Sequence, residues 1–367
     1  MVVEKTKNCT SCGLCIVSCP KQCLTMELNK DGFYRPVLKE EDRCSGCGIC
    51  DLYCPANFNI KDKEPLLQIS ATMKDQKKLM TVSSGGICFE LAKKGLESGQ
   101  SVCGCVYDYE SHRAVHQVIN SLEDLESTKG SKYFQSYTPE AFSKIFDGRE
   151  WVVFGTPCQM AAVDSYATKK GVRDKLLLVD FFCHGTPTMN LWDKYILENG
   201  KEQISKIDFR SKEFGWHNFS LKFTYKDGKT KSDFKENMFY NFFFNNLALN
   251  DSCYECKYKA LKTKADIRVG DYWGEKFKKN VSGVSCCVAL SEKGKTALER
   301  VLIDCDWESA DLQDILKAQM IKSPMLLRQR KKVLNAFKGK KSLKAIHNTT
   351  LFSYRLKCKI KSLLKRK

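Results

Sequence analysis

No apolar run in the 367-residue chain approaches the roughly 20 residues of a membrane-spanning helix, so no transmembrane segment is expected. The first ten residues, MVVEKTKNCT, are charged and lack the apolar core of a secretory signal. Twenty cysteines without such a signal argue against a disulfide framework. They favour metal or redox chemistry in a reducing compartment, and a cytoplasmic protein is expected. Acidic residues are missing from one stretch: Arg328 to Lys367 holds 15 Lys and Arg and no Asp or Glu, which leaves residues 1–327 at only +3 of the net +18. The basic character is local. The body has no recognisable nucleic-acid-binding motif and almost no excess basic charge, so a nucleic-acid partner is not expected. No solenoid repeat is present.

The hydrophobic content of 43% is ordinary for a globular protein, and the length suits a small domain followed by a large one. Residues 1–60 hold nine cysteines with few apolar runs, and residues 61–80 read as a polar linker. From 81 to 325 strand-like and helix-like segments alternate, and 326–367 form the basic tail. GICFELAKKGLESG (86–99) has helical apolar spacing at Ile87, Leu91 and Leu96. SVCGCVYD, WVVFG and KLLLVDFFC read as strands, the last two buried on both faces. Asp227-Gly228 between two alternating runs signals a hairpin. MFYNFFFNNLAL (238–249) reads as a core or interface helix. The expected fold is an α+β ferredoxin-like N-terminal domain followed by a larger mixed α/β domain.

The strongest signal is internal duplication. Cys9, Cys12, Cys15 and Cys19-Pro20 follow the spacing C-x2-C-x2-C-x3-C-P, and Cys44, Cys47, Cys50 and Cys54-Pro55 repeat it. Two-residue gaps curl three thiolates onto one cluster and send the fourth to the other. Cys9, Cys12, Cys15 and Cys54 are thus expected on one [4Fe–4S] cluster, and Cys44, Cys47, Cys50 and Cys19 on a second. Gly13 and Gly48 supply the backbone freedom of each tight loop. Paired CxxC units also bind zinc, but zinc sites lack the third cysteine and the trailing Cys-Pro.

Four more cysteines sit at element ends: Cys158 in FGTPCQ, Cys183 in DFFCHG, and Cys253 and Cys256 in SCYEC. Neighbouring strands of a parallel sheet end on one edge, where ligands usually bind. Four thiols gathered there would suit one cluster, with zinc or buried thiols as the alternatives.

In six ordered motifs the chain resembles a known family. SSGGICFEL (83–91), GSKYFQS (130–136), FGTPCQMAA (154–162), VDFFCHGTP (179–187), FRSKEFGWHNFSLKF (209–223) and CYECKYKALKTKADIRVGDYWG (253–274) occur in the order found in the coenzyme F420 hydrogenase/dehydrogenase beta-subunit family. The resemblance is to its bacterial branch, which carries an N-terminal two-cluster ferredoxin domain and is associated with surface-polysaccharide biosynthesis. It implies FAD beside a third [4Fe–4S] cluster held by Cys158, Cys183, Cys253 and Cys256. It also places Ser83, Ser84, Gly85, Gly86, Ser131, Lys132, Tyr133, Thr156, Gln159 and Asp271 near the flavin. Lys132 is a candidate for stabilising negative charge, or an ordinary surface lysine. His184 is a candidate proton relay or hydrogen-bond donor to the cluster, or a structural histidine. Asp271 and Trp273 read as a turn packed against the cofactor or as direct contacts.

The expected activity is an oxidoreductase passing electrons between a one-electron carrier, the clusters and FAD, with hydride exchange to a coenzyme F420-like or sugar-linked substrate. A non-catalytic electron-transfer subunit is the alternative, and a cluster-based sensor lacks an output module. The expected partner is a redox carrier or a ferredoxin- or hydrogenase-type protein. Residues 328–367 are either a solvated helical extension or a contact with an anionic inner-membrane surface or acidic partner. Cys23, Cys88, Cys103, Cys105, Cys286, Cys287, Cys305 and Cys358 are left as buried or incidental thiols, Cys88 standing out two residues past the Gly-Gly pair.

Overall fold

The computed structural model describes residues 8–350 apart from 235, 236, 318 and 320. Its N-terminal part is an antiparallel pair, β1 (Leu24–Leu28) and β2 (Tyr34–Leu38), flanked by the short helices Leu14–Ser18 and Ile49–Leu52. The remaining strands are β3 (Leu67–Met73), β4 (Ser101–Asp108), β5 (Arg113–Ile119), β6 (Ser136–Tyr137), β7 (Trp151–Phe154), β8 (Leu176–Phe181), β9 (Ile204–Ser211), β10 (Ser220–Tyr225), β11 (Thr230–Asp233), β12 (Ile267–Asp271), β13 (Ser285–Ala289) and β14 (Cys305–Ser309). Nine of them form one mixed sheet in the order β14-β3-β13-β12-β8-β7-β4-β5-β6, and β11-β10-β9 form a separate antiparallel sheet. Within the large sheet β12, β8, β7 and β4 run parallel, and β3 joins their direction because β13 pairs antiparallel to both β12 and β3. The carboxyl ends of five strands therefore open on one edge.

The centre of this sheet is covered on both faces, as its continuous apolar strands require. Val102, Val152, Leu177, Val179, Ile267 and Val269 pack with Ile87 and Leu91 of the helix Ile87–Glu97 and Leu298 and Val301 of the helix Glu292–Leu302. The alternate residues Cys103, Trp151, Val153, Leu176 and Leu178 pack with Met160, Val163 and Ala167 of the helix Pro157–Lys170. A third core joins the β9–β11 sheet to the helices Met189–Glu198, Met238–Phe244 and Arg330–Phe337. The 238–249 segment is thus a core helix, with Phe239, Tyr240, Phe242 and Phe243 buried.

Two expectations change. The 61–80 stretch is not simply a linker: β3 lies between β14 and β13 with Ile69, Ala71 and Met73 buried. The polar residues around it had masked a short strand of period two. Nor is the basic segment a free appendage over its described part. Val333, Leu334, Phe337, Leu343 and Ile346 are buried in the third core, and Lys338 pairs with Asp31 at 2.6 Å. The lysines face outward while the apolar side chains between them pack inward. Residues 351–367, with Cys358, lie outside the described residues.

The N-terminal unit is tied to the body by buried polar bonds. Gln135 accepts from the Tyr34 N–H at 3.0 Å and donates to Ser11 at 2.9 Å, while Thr138 donates to the Cys12 carbonyl at 2.8 Å. Gly13 has a positive φ of 78°, and a Cβ there would meet Thr138 Oγ1 at 2.2 Å, so both conformation and close approach require glycine.

Asp180 on β8 and Arg268 on β12 are register partners and are buried with side-chain exposures of 0% and 1%. Arg268 donates through Nε and Nη2 to the two carboxylate oxygens, each at 2.7 Å, and Thr263 donates to the same carboxylate at 2.5 Å. The remaining guanidinium nitrogen donates to the Tyr258 and Ala260 carbonyls. Removing one partner of such a pair strands a buried charge and costs about 3–5 kcal/mol, whereas apolar replacement of both is far milder. Arg268→Leu is expected to lower the unfolding midpoint strongly in urea titrations, and Asp180→Leu/Arg268→Leu to recover part of the loss.

Candidate functional site

The thiols assemble in groups of four. Burial first, and then charge on Cys15, Cys54 and Cys9, push the Cys12 thiol well up. Cys15 is raised by burial and then by Cys9, Cys54 and Cys50. Cys9, Cys12, Cys15 and Cys54 are therefore neighbours, as their spacing leads one to expect. Burial, then Asp51, and further Cys19 and Cys47, raise Cys50 to about 11. Cys44 acts on Cys23, which stands 3.4 Å from Cys19. That places Cys19, Cys47 and Cys50 near one another, with Cys44 beside Cys23, at the more exposed end, where Cys47 is open to solvent.

Cys158, Cys183, Cys253 and Cys256 make a third group on the carboxyl edge of the large sheet. Burial raises all the shifted members: Cys158 well up, with Cys183, Cys256 and Cys12 adding to it, and Cys183 to about 12, with Cys253 and Cys256 adding to it. Cys158 opens the helix Pro157–Lys170, and Cys183 follows β8. Cys253 lies in the short helix Asp251–Tyr254, and Cys256 lies just beyond it. Lys259 donates to the Cys183 carbonyl at 2.6 Å and to the His184 carbonyl at 3.2 Å, closing the loop over the group. Among the described residues no three Cys, His, Asp or Glu side chains close to the separation a single metal ion needs. Mutual electrostatic influence reaches farther than a coordination bond. It shows that these thiols lie near one another.

The groups follow one another. Cys50 of the exposed group acts on Cys15, and Cys12 acts on Cys158. Asn250 Nδ2 donates to the Cys9 carbonyl at 2.9 Å from three residues before Cys253, holding the first and third groups together.

The expected flavin residues divide into two sets. Ser83 and Ser131 meet through their hydroxyls at 3.1 Å. Tyr133 receives a hydrogen bond from Arg210 at 2.5 Å, and Arg210 also donates to both carboxylate oxygens of Asp271 at 2.9 and 3.2 Å. Trp216 Nε1 donates to Asp271 at 2.7 Å and stacks on Trp273 with ring centroids 4.8 Å apart. These residues form a continuous polar and aromatic cluster on the sheet edge. Cys88 is solvent-accessible at the start of the helix Ile87–Glu97, within electrostatic reach of Asp271. Gly86 is the N-cap of that helix and leaves its first N–H groups without a side-chain cap.

The second set is engaged elsewhere. Ser84 donates to the Val284 carbonyl at 2.6 Å, and the Gly85 N–H donates to Ser285 Oγ at 3.0 Å. A Cβ on Gly85 would sit 2.1 Å from the Ala71 carbonyl, so this glycine serves loop packing against β3. Thr156 and Gln159 form a capping box, with the Thr156 N–H donating to Gln159 Oε1 at 2.8 Å and Thr156 Oγ1 3.2 Å from Cys158 Sγ. They position Cys158. Lys132 donates to the carbonyls of Cys105, Ser127, Thr128 and Lys129 at 2.8–3.3 Å, which leaves its ammonium occupied in place of a charge-stabilising role. His184 Nε2 pairs with Asn246 Oδ1 at 2.9 Å and its ring lies 4.7 Å from that of Phe243. Burial, with help from Lys259, lowers its pKa to about 4 and keeps it neutral. Of the unassigned thiols, Cys23, Cys103, Cys286, Cys287 and Cys305 are buried.

Arg210, Lys212 and Trp216 were not singled out from the sequence, although all three lie within the FRSKEFGW motif. Lys212 is only 4% exposed and donates to the Leu79 and Ser84 carbonyls, each at 2.7 Å, holding the serine–glycine loop to the end of β9.

This assembly defines an iron–sulfur protein of oxidoreductase type. Residues 148–314 match the family described as the C terminus of the coenzyme F420 hydrogenase/dehydrogenase beta subunit, and residues 8–58 match the 4Fe-4S dicluster domain. Among solved structures the chain is similar to a chain of the F420-reducing [NiFe] hydrogenase complex from Methanosarcina barkeri, studied by xenon derivatization. The TM-score is 0.52 at 16% identity, over 74% of this chain and 92% of that one, a likeness of fold. No curated protein matches. Among the described residues no helix is long and apolar enough to cross a membrane.

Two measurements test the site. Anaerobically prepared protein is expected to carry about twelve irons, and Cys158→Ala about eight. An unchanged iron content in that variant would rule out the third group as a ligand set. Burial first, and then Arg210, lower the Lys212 pKa to about 7. The unfolded lysine near ~10.4 binds more protons between these values, so wild-type stability rises with pH across that window and is lowest below it. Relative to Lys212→Met, wild type should gain stability from pH 7 towards pH 10 in denaturant titrations, by at most about 1.4 kcal/mol per pH unit.

Proposed function

We propose that the chain is an iron–sulfur flavoprotein oxidoreductase in which residues 8–58 receive single electrons and the 81–325 body delivers them to FAD on the sheet edge. The observation that carries this reading is the order of the thiol groups. Cys47 is exposed at one end, the Cys9 group lies in the middle, and the Cys158 group stands on the edge that also bears Ser83, Ser131, Tyr133, Arg210 and Asp271. A redox carrier protein would dock at the Cys47 end.

The residues present fit both kinds of cofactor. Thiols gathered in fours would lose their protons to solvent on holding an iron cluster, whose positive irons would remove the repulsion that four thiolates suffer. For a dinucleotide, the uncapped N–H groups after Gly86 suit a pyrophosphate, and the Ser83–Ser131 hydroxyls offer further hydrogen bonds. Arg210, whose guanidinium carbon lies 3.9 Å from the Phe219 ring centroid, is oriented by Asp271 and Tyr133 towards the same edge. FAD supplies the conversion of one-electron into two-electron chemistry. The organic partner of the hydride is a coenzyme F420-like or sugar-linked molecule, on the strength of the family resemblance of the six motifs.

Flavin released from anaerobically purified or FAD-reconstituted protein is expected near one per chain. Arg210→Ala is expected to lose most of it while keeping wild-type iron. Wild-type protein with full iron and no flavin would instead support the electron-transfer subunit.

A further inference from the structure

The first and third thiol groups meet at a seam built from the residues around Cys256. Glu255 accepts from Asn8 at 2.9 Å, Lys257 donates to the Ala56 carbonyl at 2.7 Å, and Tyr258 donates to the Pro55 carbonyl at 2.6 Å. The first two bonds are exposed. The third is buried, and Tyr258 is 4% exposed. Pro55 follows Cys54 directly, and Tyr258 is two residues past Cys256, with its own N–H 3.4 Å from the Cys256 sulfur. The Tyr258 ring packs with Ile60 and Ala161, together with Cys158 and Cys256. Ala162, the next residue on the Cys158 helix, packs with Cys12, Leu14 and Tyr53. The phenol lies within electrostatic reach of Cys158, Cys12, Cys256 and Cys54, two thiols from each group. Its backbone is held by Arg268, which donates to the Tyr258 carbonyl at 3.3 Å.

We propose that Tyr258 is the coupling element between the two groups: its hydrogen bond to Pro55 closes a short path from Cys54 to Cys256, and its ring fills the space beside Cys158. This deepens the electron-transfer reading given above and rests on it. With [4Fe–4S] centres held by Cys9, Cys12, Cys15 and Cys54 and by Cys158, Cys183, Cys253 and Cys256, one electron would leave the reduced first centre and reach the oxidised second, so that the first is oxidised and the second reduced. No bond forms or breaks, and the phenol keeps its proton, donated to Pro55 throughout. Tyr258 is a positioning residue.

The test uses the full chain, purified anaerobically with its clusters, reduced by dithionite and followed by rapid-freeze electron paramagnetic resonance. In wild type the third centre is expected to be reduced together with the N-terminal pair. Tyr258→Phe removes one oxygen and leaves the ring. It is expected to retain about twelve irons and an unchanged N-terminal phase, with loss of the concerted reduction: the third centre splits off as a separate, slower phase. Lys257→Ala cuts the neighbouring exposed bond, spares the phenol and is expected to behave as wild type. Reduction of all centres in one phase in Tyr258→Phe would overturn the proposal. So would equal slowing in Lys257→Ala, which would assign the effect to docking, or loss of iron in Tyr258→Phe, which would make the phenol a structural support. Wild-type protein with only about eight irons would overturn the underlying reading itself, an outcome visible in the iron count before any kinetics.

Discussion

Asp180 and Arg268 face one another across neighbouring strands in a space that water does not reach, and the geometry on both sides follows from that pairing. A buried guanidinium and carboxylate are tolerated only when nearly every donor and acceptor is used. Here Thr263 completes the carboxylate, and the carbonyls of Tyr258 and Ala260 take the remaining guanidinium hydrogens. The polypeptide leaving the CxxC is thereby drawn onto the ends of β8 and β12. Cys183, three residues beyond Asp180, and Cys256, two before Tyr258, are brought to one place by the same pair. The thiol group on the sheet edge is therefore a consequence of an ion pair that supplies no ligand.

The twelve thiols pose an electrostatic problem that only a cation solves. Packed in fours and largely shielded from solvent, the shifted members of the Cys9 and Cys158 groups are held towards the protonated form. Ionising them together without compensation would set like charges against each other at low dielectric. Binding of an iron–sulfur cluster would exchange those protons for metal and turn repulsion into attraction. The integration of the N-terminal unit follows the same logic. Gln135, Thr138 and Asn250 are buried polar residues of the body that satisfy backbone and side-chain groups of the cysteine loops, so neither part presents a complete surface alone.

Much of this was legible because it is local. The C-x2-C-x2-C-x3-C-P spacing dictates which thiols can converge, and the three quoted strands and the Asp227-Gly228 turn appear where apolar pattern and turn chemistry put them. What escaped depended on partners distant in the chain. Asp180 is the lone charge of the apolar strand Leu176–Phe181, and Arg268 stands between the apolar Ile267 and Val269; charges of opposite sign inside two apolar runs are a signal for a buried pair. Lys132 and Gln159 carry motif positions that suggested ligand binding, yet their polar atoms are taken by carbonyls and by a helix cap, choices set by what lies within about 3 Å and not by residue type. β3 was hidden for a related reason. A short strand between two others needs few apolar residues of its own, because its neighbours supply the burial.

The sequence by itself determined the duplicated dicluster motif, the alternation of strands and helices, and the presence of four further cysteines at element ends, since each depends on covalent spacing or residue periodicity. Tertiary structure alone decided that those four share one sheet edge, that Ser83 reaches Ser131 and Arg210 reaches Asp271, and that Tyr258 lies between two thiol groups. These are contacts between segments tens to hundreds of residues apart. They arise only when parallel strands align their carboxyl ends and a buried ion pair holds the connecting loops against them.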